Sequence, residues 1–311
     1  GNGGGLLNEA VNVCNVFIPR NELVVTTKGK VKEWDQAFKT MGSPIDLDIP
    51  LAILIDKGSA SASEIVCGVI QDYDRGILLG QRSYGKGLVQ NTRDVGYNSK
   101  LKLTTAKYYI PSGRCIQSVE YQNGEPVHIP DSRRTPFKTK GGRTVLDGGG
   151  VKPDILLDQP ADDAIIRSLI DQNIIFEYAT QYCLKNPVTV VPAEFRFNEF
   201  DDFLNYVTNR DFSYETDSEK LLKQLKEKSS KDGFALDAEI KALESKIKAS
   251  KKQDLMEYKV ALIDLLEKEI IGRYHYQTGK IKIGLRNDEE IKEAISILKD
   301  QARYKKMLQG Q

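Results

Sequence analysis

A serine that attacks a carbonyl needs a base to take its proton and N–H donors to hold the developing oxyanion. Two stretches of this chain offer such residues. Asp56-Lys57-Gly58-Ser59-Ala60-Ser61-Ala62-Ser63-Glu64-Ile65 sets three serines at alternate positions among small neighbours. Ser83-Tyr84-Gly85-Lys86-Gly87-Leu88-Val89-Gln90 places a lysine between two glycines. Ser61 and Glu64 have the S-x-x-E spacing of a capping box, which opens a helix. A serine there lies beside free backbone N–H groups and the positive end of the helix dipole, features that favour an oxyanion. The same spacing equally suits a serine that only caps the helix. Histidine, the usual base, occurs twice. His128 stands in a polar stretch and His275 between two tyrosines, so both read as surface or packing residues and a Ser-His-Asp triad is poorly supported. Lysine is the alternative, provided burial keeps its amine neutral near pH 7. Lys86 is then the candidate base, and a solvated turn lysine is the competing reading. The pattern alone leaves both open.

These side chains need elements to hold them. Pro50 to Ile55 is a nearly continuous apolar run that leads into the serines and predicts a strand covered on both faces. Ile65, Val66, Val69, Ile70 and Tyr73 recur at helical spacing up to Gly76. Ile77-Leu78-Leu79 predicts a second buried strand, which returns the chain towards Lys86. Leu6 to Phe17 predicts a helix directly after Gly1-Asn2-Gly3-Gly4-Gly5, and Leu23-Val24-Val25 and Val31 predict short strands. Leu101 to Ile110 alternates as a strand with one wetter face. Strand and helix taking turns predicts an α/β layer fold with parallel pairing. Residues 120–148, rich in Gly, Pro, Arg and Asp, read as a long surface loop.

After Pro153-Asp154-Ile155-Leu156-Leu157 the composition changes. From residue 161 the chain reads as helical, and from Ser218 it is dominated by Lys, Glu and Leu. Apolar stripes at Leu221, Leu222 and Leu225, at Ile240, Leu243 and Ile247, and from Leu255 to Ile270 predict amphipathic helices, with breaks at 229–233 and 250–252. The expected division is a core over 1–160 and a helical C-terminal domain over 161–311, whose charges read as solvated helix faces. The 311 residues carry 45 basic and 44 acidic side chains, a balance that gives no reason to expect a nucleic-acid partner. No apolar run is long enough to span or anchor in a membrane, and no basic-then-apolar leader is visible. The glycine-rich opening reads as the interior of a longer chain. Cys14, Cys67, Cys115 and Cys183 are widely spaced, form no metal-ligand pattern and read as buried free thiols.

Separate blocks of this chain resemble the C-terminal processing peptidases, also called tail-specific proteases. Gly58 to Ile65 is one; Gln71-Asp72 with Arg75 and then Tyr84 to Gln90 follow. Gly1 to Gly5 is similar to the end of the family's Asp-Leu-Arg-x-Asn-x-Gly-Gly segment, and Gly149-Gly150-Val151-Lys152-Pro153-Asp154-Ile155 to its closing Gly-Ile-x-Pro-Asp segment. The likeness runs in order from residue 1 to about 158. It implies Ser61 as nucleophile, Lys86 as general base, Gln90 as the residue that orients the lysine, and the Gly5 and Ala62 amides as the oxyanion hole. Ser59 and Ser63 are the rival nucleophiles, but Ser61 alone keeps the family's spacing to the lysine. Asp72 matches an acidic residue expected to brace the nucleophile helix with Arg75. The resemblance further implies an α/β core of the ClpP and crotonase group, protein or peptide substrates presented unfolded or by their tails, and no metal or organic cofactor. It implies work in the periplasm or at the cell envelope of a bacterium. The family's PDZ domain and the first part of its core precede the glycine segment and are not contained in these residues. The helical region, with Tyr276-x-Thr278-Gly279, resembles an extension of envelope-associated members and is expected to self-associate. Two other readings stand beside this one. The first is a catalytically inactive peptide-binding scaffold on the same fold. The second is an acyl-CoA enzyme on a crotonase-like core, for which no acidic pair or CoA-phosphate site is found.

Overall fold

The computed structural model describes residues 1–122, 125–128, 130–157, 164–187, 191–210, 212–251, 254–286 and 288–310, with backbone only at 119–122, 125–128 and 250. Contacts divide the chain into two units, Gly1–Gln159 with Glu289–Gln311, and Pro160–Asp288. The first unit begins with α1 (Leu7–Phe17), β1 (Leu23–Gly29), β2 (Gln36–Lys39), β3 (Ala52–Ile55), α2 (Ala62–Asp72) and β4 (Ile77–Gly80). The hairpin of β5 (Leu88–Gly96) and β6 (Ser99–Tyr109) follows. Residues 119–156 then contribute β7 (Val119–Gln122), β8 (Glu125–His128), β9 (Pro136–Lys138), β10 (Thr144–Leu146) and β11 (Ile155–Leu156).

Parallel pairing, expected for the whole core, is confined to the sheet β11-β4-β3. Here α2 is the crossover that parallel neighbours β3 and β4 require. Ile53 lies opposite Leu78, and Ile155 opposite Leu79. The larger sheet, β2-β1-β6-β5, is antiparallel. Its β5 is not legible in the sequence, because Gln90-Asn91-Thr92-Arg93-Asp94 has no apolar alternation and every residue from Gln90 to Gly96 is exposed. The hairpin turns at Tyr97-Asn98, both left-handed (φ 48° and 57°), which is the type I′ geometry of two-residue connections. Val31 stands just before a short 3₁₀ turn (Lys32–Trp34) and not in a strand. The stretch 120–148 is not one loop but holds two hairpins, β7-β8 and β9-β10.

The second unit contains α3 (Ala164–Asp171), α4 (Ile174–Lys185), α5 (Phe200–Thr208), α6 (Asp217–Asp232), α7 (Asp237–Ser250), the short α8 (Asp254–Glu257) and α9 (Lys259–Gly284). Tyr178 centres its core, with Phe203, Tyr206 and Phe197 edge-on at 5.1, 5.2 and 5.9 Å. Leu262, Leu266 and Ile270 of α9 complete it. The buried Glu267 accepts the Phe197 N–H at 2.9 Å and pairs with Arg286. The expected breaks fall where Gly233 caps α6 with φ 78° and where α7 ends at Ser250. Within α9 the helix changes direction at Tyr276 (φ 53°, ψ −150°).

The last two helices, α10 (Glu289–Lys299) and α11 (Gln301–Leu308), belong to the first unit. The helical unit therefore stops at residue 288, short of the expected 311. Side chains alternate across the parallel sheet. Ile53, Ile55 and Leu78 join Cys14, Ile65 and Val69 on the face covered by α1 and α2. Ala52, Leu54, Ile77 and Leu79 join Ala294, Ile297 and Tyr304 on the other. The Tyr304 hydroxyl accepts the Leu51 N–H at 2.9 Å, fixing α11 at the start of β3. The two-sided cover predicted for β3 is present, and residues 289–308 supply half of it.

Candidate active site

Ser61 is the turn between β3 and α2. Asp56 Oδ1 accepts the N–H groups of Gly58 and Ser59 at 2.9 and 3.0 Å and the Ser59 hydroxyl at 3.2 Å. Ser59 is thereby buried and occupied, and Ser63 lies inside α2. Ser61 is half-buried with φ 59° and ψ −119°. A non-glycine residue pays about 1–3 kcal/mol to hold such a conformation, which is why strained residues cluster at functional sites. Gly4 (φ +90°) packs against this turn; a Cβ there would fall 2.5 Å from the Ala60 carbonyl oxygen and 2.9 Å from Ser61 Cβ. Only glycine fits, and it brings the opening loop onto the Ser61 turn. The Gly4 N–H is engaged by Asn2 Oδ1 at 2.9 Å. Among the described residues, the N–H groups of Gly5 and Ala62 have no hydrogen-bond acceptor.

The carboxylate of Glu64 ties this turn to the lysine loop. It is fully buried and accepts four hydrogen bonds. Oε2 takes the N–H of Ser61 and the N–H of Lys86, each at 2.8 Å. Oε1 takes the Ser83 hydroxyl at 2.5 Å and the Gly85 N–H at 2.6 Å. The backbone nitrogens of Ser61 and Lys86 are thus no farther apart than twice 2.8 Å. Further bonds pin the lysine loop: the Tyr84 N–H to the Ser59 carbonyl (2.9 Å), the Val151 N–H to Ser83 Oγ (2.7 Å) and the Gly87 N–H to Gln117 Oε1 (2.8 Å). The capping spacing flagged Glu64 as a helix cap. Its bonds to Ser83, Gly85 and Lys86 carry no sequence signal, because the partners lie 19 to 22 residues away.

The Lys86 side chain itself is exposed and has no hydrogen bond or ion pair among the described residues. These residues do not supply the burial that a lysine base requires. Gln90 is exposed in β5, opposite Thr104, and makes no hydrogen bond to Lys86. Lys86 and Gln90 line a cavity of about 980 Å³ together with Leu88, Gln117, Arg82 and Leu157; Ser61 is not part of that lining. The backbones of Ser61 and Lys86 are therefore brought together, whereas Gln90 is not brought onto the lysine. His275 belongs to the helical unit, and the His128 side chain lies outside the described residues. No group of three His, Cys, Asp or Glu suited to a metal occurs among the described residues.

Asp72 braces α2, with Arg114 as its partner and not Arg75. Its Oδ1 accepts Arg114 Nη2 at 2.9 Å with both side chains fully buried, and Oδ2 accepts the Ser112 N–H at 2.9 Å. Burial raises the carboxyl pKa, and the Arg114 guanidinium opposes that rise. Arg75 instead donates to the carbonyls of Phe17, Asp46 and Ile49. Gln71 reaches Asp154 Oδ1 at 2.9 Å, and Asp154 Oδ2 accepts the Leu78 N–H at 2.8 Å. The Gln71-Asp72 and Pro153-Asp154 blocks, whose bonded residues Gln71 and Asp154 are 83 positions apart, thus meet in one polar network.

The candidate site is thus a strained serine at a strand-to-helix turn, tied through a buried carboxylate to a lysine loop on an α/β core. Residues 1–124 match the model of peptidase family S41, and residues 165–298 match that of the probable PDZ-protease C-terminal helical domain. The chain is a relative of the C-terminal processing peptidases, with a mixed α/β core and the helical domain that accompanies it. It is 37% identical over 161 residues to a carboxy-terminal-processing protease of Bartonella bacilliformis, covering 52% of this chain and 36% of that protein. It is 30% identical over 260 residues to a probable CtpA-like serine protease of Staphylococcus saprophyticus, covering 78% of this chain and 46% of that one. Among solved structures, the photosystem II D1 C-terminal processing protease matches 50% of this chain and 32% of its own, at 30% identity and a TM-score of 0.38. The chain spans less than half the length of these curated relatives.

Proposed function

We propose that this chain carries the nucleophile and base of a serine endopeptidase of the C-terminal processing type. The observation that supports it is the shared bond of the Ser61 and Lys86 N–H groups to one oxygen of Glu64, which sets the two segments side by side. In this mechanism the neutral Lys86 amine takes the proton of Ser61 Oγ as that oxygen attacks the peptide carbonyl carbon. The oxyanion accepts from the Gly5 and Ala62 N–H groups. The tetrahedral intermediate collapses when the Lys86 ammonium passes its proton to the leaving nitrogen, releasing an amine and leaving an ester on Ser61. Water then gives a proton to Lys86 and attacks the ester, and the carboxylate product leaves as Ser61 regains its proton.

A lysine serves as a base where it is desolvated, so catalysis requires that the exposed Lys86 lose its solvent. A substrate chain or another part of a longer protein filling the 980 Å³ cavity does this, and Gln90, in the same lining, then orients the amine. The substrates are extended protein chains. Action at the bacterial envelope and self-association through the helical unit belong to the same proposal. The exposed Lys86 side chain favours a second reading, a peptide-binding scaffold without catalysis.

The test is cleavage of an unfolded protein by the wild type beside Ser61→Ala and Lys86→Ala, with circular dichroism to establish folding. Activity lost in both folded variants supports the dyad, and activity that survives either substitution refutes it. Three folded, inactive proteins that bind the unfolded chain would support the scaffold.

A further inference from the structure

The antiparallel sheet holds an arrangement that proteolysis at Ser61 does not use. Lys28 of β1 stands directly opposite Lys107 of β6, and both are exposed. Residues in register on neighbouring strands share a face, and like charges so placed destabilise the sheet. On the far side of Lys107 stands Leu88 of β5. This row crosses a groove of about 670 Å³ whose walls also carry Lys30, Lys32, Trp34 and Tyr109. Among the described residues, no aspartate or glutamate lines it. Asp35 is adjacent, but its Oδ1 accepts the Gly29 N–H at 2.8 Å and its Oδ2 lies 3.8 Å from Lys32 Nζ. Trp34, the one tryptophan of the chain, is half exposed under the Arg93 guanidinium, 5.2 Å from the ring centroid. Lys28 Nζ lies 5.2 Å from the Tyr109 ring centroid. Among the described residues, four lysines and no acid thus line one groove in a chain whose net charge is +1.

We propose that this groove docks an acidic stretch of an extended polypeptide, with a carboxylate between Lys28 and Lys107 and an apolar side chain against Trp34. The sign of the occupant follows from charge complementarity, since an anion between the two lysines relieves their repulsion. Its class follows from continuity. Leu88 lines both this groove and the cavity that contains Lys86, so a chain lying here runs on towards the lysine. β5 is moreover an edge strand, and an open edge offers backbone groups to an extended peptide. That the docked chain is the substrate rests on the peptidase reading; that the groove binds it does not.

Trp34 emission reports occupancy without catalysis, so failure of docking and failure of cleavage are separate results. The probe is a blocked peptide of alternating Glu and Leu, compared with its Lys-for-Glu counterpart and with oligothymidylate. Binding of the acidic peptide alone is expected, weakened by salt. Lys107→Glu should weaken it about tenfold or more, the effect of placing a like charge against the docked carboxylate. The same substitution sets Glu against Lys28, so the melting temperature should hold or rise. Weaker binding by an equally stable protein excludes unfolding as the cause. Unchanged Trp34 emission, binding indifferent to Lys107→Glu, or a preference for the basic peptide would overturn the proposal. Tighter binding of oligothymidylate would overturn it in favour of a single-stranded nucleic-acid groove.

Discussion

Glu64→Gln separates a structural tether from a simple helix cap. An amide keeps one of the two carboxylate oxygens and sets an NH₂ in place of the other. Two of the four hydrogen bonds are then lost, and two donors face an NH₂ that cannot accept. Hydrogen bonds to a charged group are worth about 1.5–3 kcal/mol each, so the loss is about 3–6 kcal/mol. Domains of this size have about 5–15 kcal/mol in total. A unit in the 150–250-residue range shifts by about 2–4 °C per kcal/mol, which places the fall in melting temperature at about 6–24 °C. Ser83→Ala is the internal comparison: it removes the donor to Oε1 and the acceptor of the Val151 N–H, also two bonds, but leaves the Ser61 and Lys86 bonds to Oε2 in place. By circular dichroism both variants should melt below wild type. Cleavage of an unfolded protein, measured well below each transition, should fall more in Glu64→Gln than in Ser83→Ala. A Glu64→Gln protein that melts within about 2 °C of wild type, less than one kcal/mol normally produces, would refute the tether.

Ser61→Gly should be more stable than Ser61→Ala, because glycine holds φ 59° and ψ −119° without a Cβ penalty. The expected difference is about 1–3 kcal/mol by urea unfolding, with both variants inactive, and equal stability would remove the strain argument. Alkaline stability should follow the buried thiols. Burial pushes Cys14 up to about 12 from an ordinary 9.0 and raises Cys67 in the same direction. Above pH 9 the unfolded chain releases these protons and the folded one does not. Their contribution is thus whole below pH 9 and lost as pH rises towards 12, by at most about 1.4 kcal/mol per pH unit for each thiol. Cys14→Ala should lose less stability than wild type between pH 9 and 10; an identical loss would show that Cys14 is not the group responsible.

Read from spacing alone, β3, α2 and β4 were legible, because a buried parallel strand is a continuous apolar run and a helix repeats every three or four residues. The amphipathic stripes from Leu221 to Ile270 were legible for the same reason. The blocks of resemblance singled out Ser61 and Lys86 as a pair, which the serine stretch and the glycine-flanked lysine could not do separately. Tertiary structure alone decided the rest. The second cover of β3 comes from residues 289–308, whose amphipathic pattern shows that they bury a face but not against what. Asp72 takes Arg114, 42 residues on, in preference to the nearby Arg75, because the chain brings the distant guanidinium into the buried site and turns the near one to the carbonyls of residues 17, 46 and 49. Strand β5 is exposed along most of its length and so carries no alternation to read. The exposure of Lys86 is likewise set by what covers it and not by Gly85 and Gly87 beside it. Local spacing encodes which elements form; the partners of a buried charge depend on contacts that only the folded chain creates.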